Sequence, residues 1–575
     1  MKGPLYIAGA SALLQVAYAQ NSSATCSETF TPITAKDFVA NLHPGWNLGN
    51  TLDAIPDEGS WNNAPVDEAT LDLIKESGFK SVRLPVTWTH HFTGSSPDWT
   101  VDPDWLQRVS DVLDFITSRD LYAIVNVHHD SWEWADVTAA GANLTMIEEK
   151  FYRLWYQIGS TLACKSNLVA FESINEPPAE TAEDGAELNK LNGIFLQAIA
   201  DSGGFNSQRV VNLVGGAQDS IKTSQWFEAP ANITNPWAIQ FHYYSPYDFI
   251  FSAWGKTIWG SDSDKDALTT DFELIRNNFT DVPLILGEYD ASETSTEPAA
   301  RWKYFDHLQR VASELGIATI LWDNGEDQLD RIAGKWRDQT TAQLIVGTTA
   351  ETTSSLPDST VDTTASEQPS SAYIFHRANS QVASQTLPYL FNGNTLLSIT
   401  DSNGTVLASG SDYSVSSDNI IFSATYLATK YTASTAPGVI DTLTLEFDGG
   451  VASPTIEIVQ WDTPVLASTS TSASAVEGAD LSIPITWGGI SKPAAVKALT
   501  VSGVYLFDDW TQWFGPLQQA RATYNSHWTW DDDNVILTSA AIDAVVAAGE
   551  TAVFTFEFFP RVNGTLNTAN FTLTV

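Results

Sequence analysis

The strongest constraint on the fold is an alternation that runs through the first 345 residues. Eight short apolar runs (44–50, 81–88, 122–129, 168–177, 209–215, 238–244, 283–289 and 318–324) are separated by longer stretches with helical periodicity, among them 67–77, 103–118, 146–158, 186–201 and 298–315. A strand buried on both faces reads as a near-continuous apolar run, whereas a half-solvated strand alternates. Eight such strands, each followed by an amphipathic segment, predict an α/β fold in which a parallel sheet closes into a (β/α)8 barrel.

Beyond residue 345 the pattern changes. Residues 346–371 are rich in Ser and Thr and lack periodicity, and so read as a linker between separate cores. Short alternating runs broken by Gly, Asn, Asp and Ser follow (395–400, 419–422, 442–447 and 455–461), predicting an all-β sandwich over 372–462. A second sandwich is expected over 463–575, with strands near 481–487, 535–538 and 551–559. No tandem repeat relates the two at the level of sequence. At the other end, residues 1–19 read as a secretory signal: Met1 and Lys2 precede a short apolar stretch that closes on Ala17-Tyr18-Ala19. The barrel domain is then 20–345, and the protein is expected to be secreted and extracellular.

Composition narrows the partners. The 28 Lys and Arg against 69 Asp and Glu leave a formal charge of −41, which argues against nucleic acid and anionic membranes. No apolar run is long enough to span a bilayer. Charged residues are only 17% while Trp numbers 21, and a Trp-rich, weakly charged surface suits neutral, hydroxyl-rich, flat-faced ligands such as sugars. A monomer is expected. The two cysteines, Cys26 and Cys164, form an even pair in a secreted chain and so read as one disulfide, with two unpaired thiols as the alternative. Sequons at Asn21, Asn143, Asn232, Asn278, Asn403, Asn563 and Asn570 fit a glycoprotein.

In a barrel of this type the chemistry sits at the C-terminal ends of the strands. Those positions carry Asn47 and Asn50, Arg83 and Trp88, His128 and His129, Asn175 and Glu176, His242 and Tyr244, Glu288, and Trp322. A ring of carboxylates, imidazoles, an arginine and aromatics around one barrel mouth reads as a site. Glu176 ends the fourth run and Glu288 the seventh, on opposite sides of a small barrel, where two carboxyl groups can flank one glycosidic bond. Arg83 is expected to keep Glu288 ionised, with Tyr244 donating to the same carboxylate, which makes Glu288 the nucleophile. Glu176, without a cationic partner in sequence, is expected to be the proton donor. Asn175 suits a sugar 2-hydroxyl, His128 and His242 can orient hydroxyls and carboxylates, and Trp322 offers a flat face for a sugar ring. As a metal site His128-His129-Asp130 lacks further ligands at a characteristic spacing. Nucleotide and serine-nucleophile motifs are absent, so no metal and no cofactor is expected.

These motifs (Gly45-Trp-Asn-Leu-Gly-Asn50, Val82-Arg-Leu-Pro85, Asn126-Val-His-His129, Asn175-Glu-Pro177, His242-Tyr-Tyr244, Gly287-Glu288 and Leu321-Trp-Asp-Asn324) resemble glycoside hydrolase family 5, the large cellulase family. The resemblance covers about residues 35–345. It implies Glu176 as acid/base, Glu288 as nucleophile, and Arg83, His128, Asn175, His242, Tyr244 and Trp322 as supports, with Trp88 and Asn50 also lining the substrate site. Asn50-Thr-Leu-Asp53 and Val86-Thr-Trp88 resemble the branch holding endo-β-1,4-glucanases and xyloglucanases. The later regions resemble modules that follow such barrels: an immunoglobulin-like module at 372–462, then a carbohydrate-binding-type module at 463–575. In the latter, Trp510, Trp513, Trp528 and Trp530 cluster among aspartates as candidate sugar contacts, a sandwich core being the alternative. The expected activity is retaining, endo-acting hydrolysis of plant-cell-wall-type β-1,4-glucan (cellulose, mixed-linkage glucan or xyloglucan). A β-mannanase or β-1,3-glucanase on the same barrel, or a non-catalytic wall-binding protein, are the alternatives.

Overall fold

A computed structural model describes residues 25–432, 434–562 and 566–575. The expected signal segment and the sequons at Asn21 and Asn563 lie outside the described residues. Eight parallel strands close into a barrel in sequence order: β1 (Gly45–Asn47), β2 (Ser81–Leu84), β3 (Tyr122–Val125), β4 (Val169–Glu172), β5 (Val211–Asp219), β6 (Trp237–Tyr243), β7 (Leu284–Tyr289) and β8 (Ile317–Leu321), with β8 paired back onto β1. Most strands end before their apolar runs do, because those runs continue into mouth loops that are themselves buried. Trp88, Val127 and Ile174 all lie beyond strand ends and are at most 2% exposed.

Local chemistry sets where the helices begin. The Asp67, Asp102 and Asn143 side chains accept from the first-turn N–H groups of helices Glu68–Glu76, Pro103–Thr117 and Leu144–Leu162. Thr181 and Asp184 form a reciprocal box at the start of Ala182–Ser202, satisfying donors that a helix start leaves unpaired. The end of the barrel away from the strand C-termini is stoppered by the short helix Ala35–Ala40, whose Phe38 and Val39 pack with Leu42 on Ile124, Ala170, Ala238, Ile285 and Ile320. Cys26 and Cys164 are joined in a disulfide that ties the N-terminal segment to the barrel.

The two expected sandwiches are present, and they share one topology. In the first, Leu356–Pro357, Gln385–Leu390, Asn419–Phe422 and Tyr413–Ser416 form one four-stranded sheet; Tyr373–Arg377, Thr455–Trp461, Gly438–Phe447 and Leu396–Thr400 form the other. Numbered along the module, the strand orders are 1-3-6-5 and 2-8-7-4. The second module, from Val465–Leu466 to Thr568–Thr574, has the same two orders. Each also carries a helix between its sixth and seventh strands, Ala424–Lys430 and Ser539–Ala548. The repeat is therefore one of topology, which the sequence does not display.

The expected linker differs from the sequence reading. Residues 346–371 are not a solvated tether: Leu356–Pro357 is an edge strand of the first sandwich, and Ser359 and Ser370 donate to the buried carboxylate of Glu297. Lys303 reaches Asp358 and Thr360. Ala299, Trp302 and Leu344 of the barrel share one apolar cluster with Leu356, Tyr373 and Val459. Ser and Thr favour solvent by composition, but here their hydroxyls satisfy a buried carboxylate. The last sandwich is held just as directly. Arg561 donates to Gly255 O at 2.9 Å, and Lys492 Nζ lies 3.2 Å from the carbonyls of Glu293 and Thr296.

Beneath the barrel, Thr319 donates to Gln309, so His43 Nδ1 must be the donor to Thr319 Oγ1 at 2.9 Å. Burial pushes His43 down to about 4, from 6.5. The folded chain resists protonating this ring. Its contribution is therefore intact above pH 6.5 and is lost as pH falls from 6.5 through about 4. His43→Gln is expected to flatten the fall in melting temperature across that window relative to the parent; parallel curves would show that His43 does not contribute.

Candidate active site

Arg83 lies at the floor of the mouth, 0% exposed, and its guanidinium binds four partners. Nε and Nη2 grip Glu172 in a two-pronged pair, both at 2.7 Å. Nη1 donates to Glu288 Oε1 at 2.5 Å and to Asn47 Oδ1 at 2.9 Å, and Nη2 also donates to Asn175 Oδ1 at 2.7 Å. The expectation that Arg83 serves Glu288 holds only in part, because its stronger engagement is with Glu172. Sequence reasoning missed Glu172. The available signal was a lone carboxylate inside the apolar run 168–177. Burial pushes Glu172 up, but the Arg83 pair outweighs it and holds the carboxyl below its ordinary value.

Glu288 ends β7, and Glu176 follows β4. Tyr244 donates to Glu288 Oε2 at 3.0 Å. Burial and the neighbouring Glu288 charge hold that phenol well above 10, so Tyr244 remains a donor. Burial pushes Glu288 upward, with His242 and Arg83 opposing and Glu176 adding to the rise. Glu176 takes a backbone φ of +39°, a left-handed value uncommon outside Gly, held by a 2.6 Å bond from its N–H to Gln218 Oε1. Gln218 is a second missed residue; a polar residue after the Gly215-Gly216 pair carried no motif. His242 Nδ1 points between the two glutamates, 2.8 Å from Glu176 Oε1 and 3.6 Å from Glu288 Oε2. One oxygen of each glutamate and one nitrogen of the His242 ring lie within 4.8 Å of one another.

The walls bring His128 and Trp322 together, place Asn50 at the rim, and leave Trp88 out of the mouth. Asn126 Nδ2 faces His128 Nδ1 at 3.0 Å while Asn126 Oδ1 accepts from Val86 N–H, so His128 Nδ1 is an acceptor and the neutral ring carries its hydrogen on Nε2. Burial and the nearby His129, Arg83 and His242 charges push His128 well below 6.5. Its ring lies parallel to half-buried Trp322, centroids 5.9 Å apart. A Cβ on Gly49 would come within 2.9 Å of that indole, so the glycine makes room for the ring. Asn50 stands at the rim, bonded to Asn62. His129 packs on Trp132 and Trp61, both exposed, and neither tryptophan was singled out from sequence. Trp88, expected to line the substrate site, is fully buried, with Nε1 donating to Asn126 O, so it is a core residue and not a sugar contact.

The four C-terminal tryptophans also divide. Trp528 is 3% exposed and belongs to the sandwich core, as the alternative reading held, with half-buried Trp530 stacked beside it. Trp510 and Trp513 are 47% and 82% exposed on the short helix Asp509–Trp513. That helix abuts the barrel: Trp254 Nε1, on the loop after β6, donates to Asp508 at 2.7 Å, and its ring meets Trp510 edge-on.

Comparison with known proteins agrees with this geometry. Residues 45–328 match the family described as "Cellulase (glycosyl hydrolase family 5)". A tri-modular GH5 subfamily 4 endo-β-1,4-glucanase from Bacillus licheniformis, solved with cellotetraose, is 32% identical with a TM-score of 0.82, over 94% of this chain and 99% of that one. The chain belongs to glycosyl hydrolase family 5. This family 5 enzyme is a glycoside hydrolase of the endoglucanase type, a barrel followed by two all-β modules. It is also similar to endo-β-1,4-glucanase B of Bacillus halodurans, 26% identical with a TM-score of 0.79 over 95% and 98% of the two chains. "Endoglucanase B" of Paenibacillus lautus is 28% identical over 82% of each chain. Residues 368–458 match "Carbohydrate binding domain X2", so that description falls on the middle module and not on the last.

Removing the Glu172 charge leaves the buried guanidinium with Glu288 as its one carboxylate partner, and breaking one side of a buried pair costs roughly 3–5 kcal/mol. Glu172→Gln is therefore expected to lower denaturant stability on that scale and to lower activity in the molecules that remain folded. A change near zero would show that Glu172 does not anchor Arg83.

Proposed function

We propose that this enzyme is a secreted, retaining endo-β-1,4-glucanase that hydrolyses β-1,4-glucan backbones by double displacement. The observation that carries this reading is the pair of carboxylates meeting at His242 Nδ1 with oxygens within 4.8 Å. Retaining enzymes hold their two carboxyl groups about 5–5.5 Å apart, whereas inverting enzymes leave about 6.5–9.5 Å for a water. Glu288, the more enclosed and reached by Arg83 and Tyr244, attacks the anomeric carbon. Its developing ester loses negative charge while Arg83 stays partnered by Glu172. Glu176, about 25% exposed, protonates the leaving oxygen and then deprotonates the incoming water. Asn175 Oδ1 is taken by Arg83, which leaves its amide N–H groups for the sugar 2-hydroxyl. His128 Nε2–H donates to a second hydroxyl, and Trp322 lies under the ring. Among the described residues no helix is long and apolar enough to cross a membrane, which fits an extracellular polysaccharide substrate. The relatives named above favour glucan over mannan or β-1,3-glucan.

Glu288→Gln is expected to lower kcat by roughly 10³-fold or more with folding intact, as loss of a catalytic unit does. Glu176→Gln should lose far less on aryl glycosides with good leaving groups than on cello-oligosaccharides, since those need no protonation. Equal losses on both substrates would refute the acid role, and release of inverted product by the parent enzyme would refute the double displacement.

Trp510 and Trp513, beside the loop after β6, support a reading in which the last module contacts glucan beyond the barrel. A stacked ring contributes about 0.5–1.5 kcal/mol beyond area burial. Trp513→Ala is expected to lower the polymer rate by about 2–10-fold relative to a short oligosaccharide; an unchanged ratio would make that surface irrelevant to substrate capture.

A further inference from the structure

The His242 corner has the chemistry of a transition-metal site as well as a catalytic one. Its Nδ1 lies 2.8 Å from Glu176 Oε1 and 3.6 Å from Glu288 Oε2. Zinc bonds to imidazole nitrogen and carboxylate oxygen of about 2.0–2.2 Å put tetrahedral ligands about 3.3–3.5 Å apart, so those two separations bracket what one ion needs. His242 is 5% exposed, and its other ring nitrogen, Nε2, is buried without a hydrogen-bond partner. Nδ1 faces Glu176 Oε1, but no group at Nε2 opposes the tautomer that carries the hydrogen there, and in that tautomer Nδ1 turns its lone pair toward an ion. Glu172 and Glu288 share the Arg83 guanidinium, while Glu176, which does not contact it, adds a third carboxyl group at the mouth.

A second triad tests the logic. Asp53, His128 and His129 also bring ligand atoms within 4.8 Å; neither ring nitrogen of buried His129 makes a hydrogen bond, and its Nε2 lies 3.5 Å from Asp53 Oδ2. But Asn126 holds the His128 Nδ1 lone pair, so that ring presents N–H and not a lone pair. Two ligands remain there, against three at His242.

We infer that Glu176, His242 and Glu288 form a binding site for a borderline divalent cation of the zinc class, whose occupancy excludes substrate. On binding, the ring hydrogen moves from Nδ1 to Nε2 so that the imidazole stays neutral, the proton that Glu176 carries as general acid leaves to solvent, and the ion bonds to Nδ1 and to one oxygen of each glutamate. The bound ion occupies both carboxylates that hydrolysis requires. The enzyme is thus reversibly inhibited by zinc in competition with glucan, and a chelator restores it.

The test is a calorimetric titration of ZnCl2 into the full chain at about 150 mM salt, where surface charge is screened. It is repeated with Glu176→Gln, His242→Gln and Asp53→Asn, all checked for folding by circular dichroism. One ion per chain is expected. Losing a ligand should weaken binding at least as much as losing an outer partner does, roughly 10–100-fold, in Glu176→Gln and His242→Gln, with Asp53→Asn unchanged. A cello-oligosaccharide should compete. Binding that survives both Glu176→Gln and His242→Gln, that follows Asp53, or that is absent in the parent overturns the proposal. The readout is binding and not turnover, so a failed titration leaves the hydrolytic assignment untouched. Tight binding by an enzyme inactive on every glucan would overturn that assignment alone.

Discussion

The Arg83–Glu172 pair is the interaction on which the active site depends. Both side chains are inaccessible to water, and an unpaired charge there would be untenable. Once Glu172 neutralises the guanidinium with a fixed two-pronged geometry, the remaining N–H groups are aimed at Glu288, Asn47 and Asn175 from β7, β1 and the turn after β4. One arginine thereby ties the positions of the proposed nucleophile, Glu288, and of the Asn175 amide to the barrel. Glu172 in turn is held by Asn126, which also sets the tautomer of His128. The polar floor of the mouth is one connected network, and its members constrain one another.

The strain at Glu176 belongs to the same design. Its left-handed backbone turns the side chain back toward the axis, and Gln218, itself bonded to Glu172, holds that turn. In the proposed mechanism, the residue that would alternately give and take a proton sits in the more exposed position, while the one that would form the ester is enclosed. His242 lies between them and contacts both. In the proposed readings the same contact serves both the hydrolytic pair and the inferred cation site, because a hydrogen bond and a shared ion ask for similar distances.

The modules are more entangled than a string of domains. The strap at 346–371 satisfies Glu297 at the start of a barrel helix, and Arg561 and Lys492 of the last module pair with carbonyls on the loops after β6 and β7. These are the loops that follow His242, Tyr244 and Glu288. Removing the last module would therefore strip hydrogen-bond donors from backbone next to the site. Ser/Thr-rich composition reads as solvated chain because isolated hydroxyls prefer water, and only a buried partner elsewhere in the fold reverses that preference.

What the sequence determined by itself is whatever depends on period and residue type: eight buried strands, a closed α/β barrel, two β-sandwiches, and the strand-end residues Glu176, Glu288, Arg83, His128, Asn175, His242, Tyr244 and Trp322. Strand ends in a barrel converge on one mouth whatever the details, so those positions were legible without coordinates. Tertiary structure alone decided the rest. Glu172 and Gln218 matter through partners distant in the chain, and no local pattern marks them. Trp88 and Trp528 are core while Trp510 and Trp513 are exposed, because an indole suits either environment and only packing chooses. The matched topology of the two sandwiches is likewise invisible in sequence, since many sequences satisfy one alternation of buried and exposed residues, and strand order is set by which edges can pair in space.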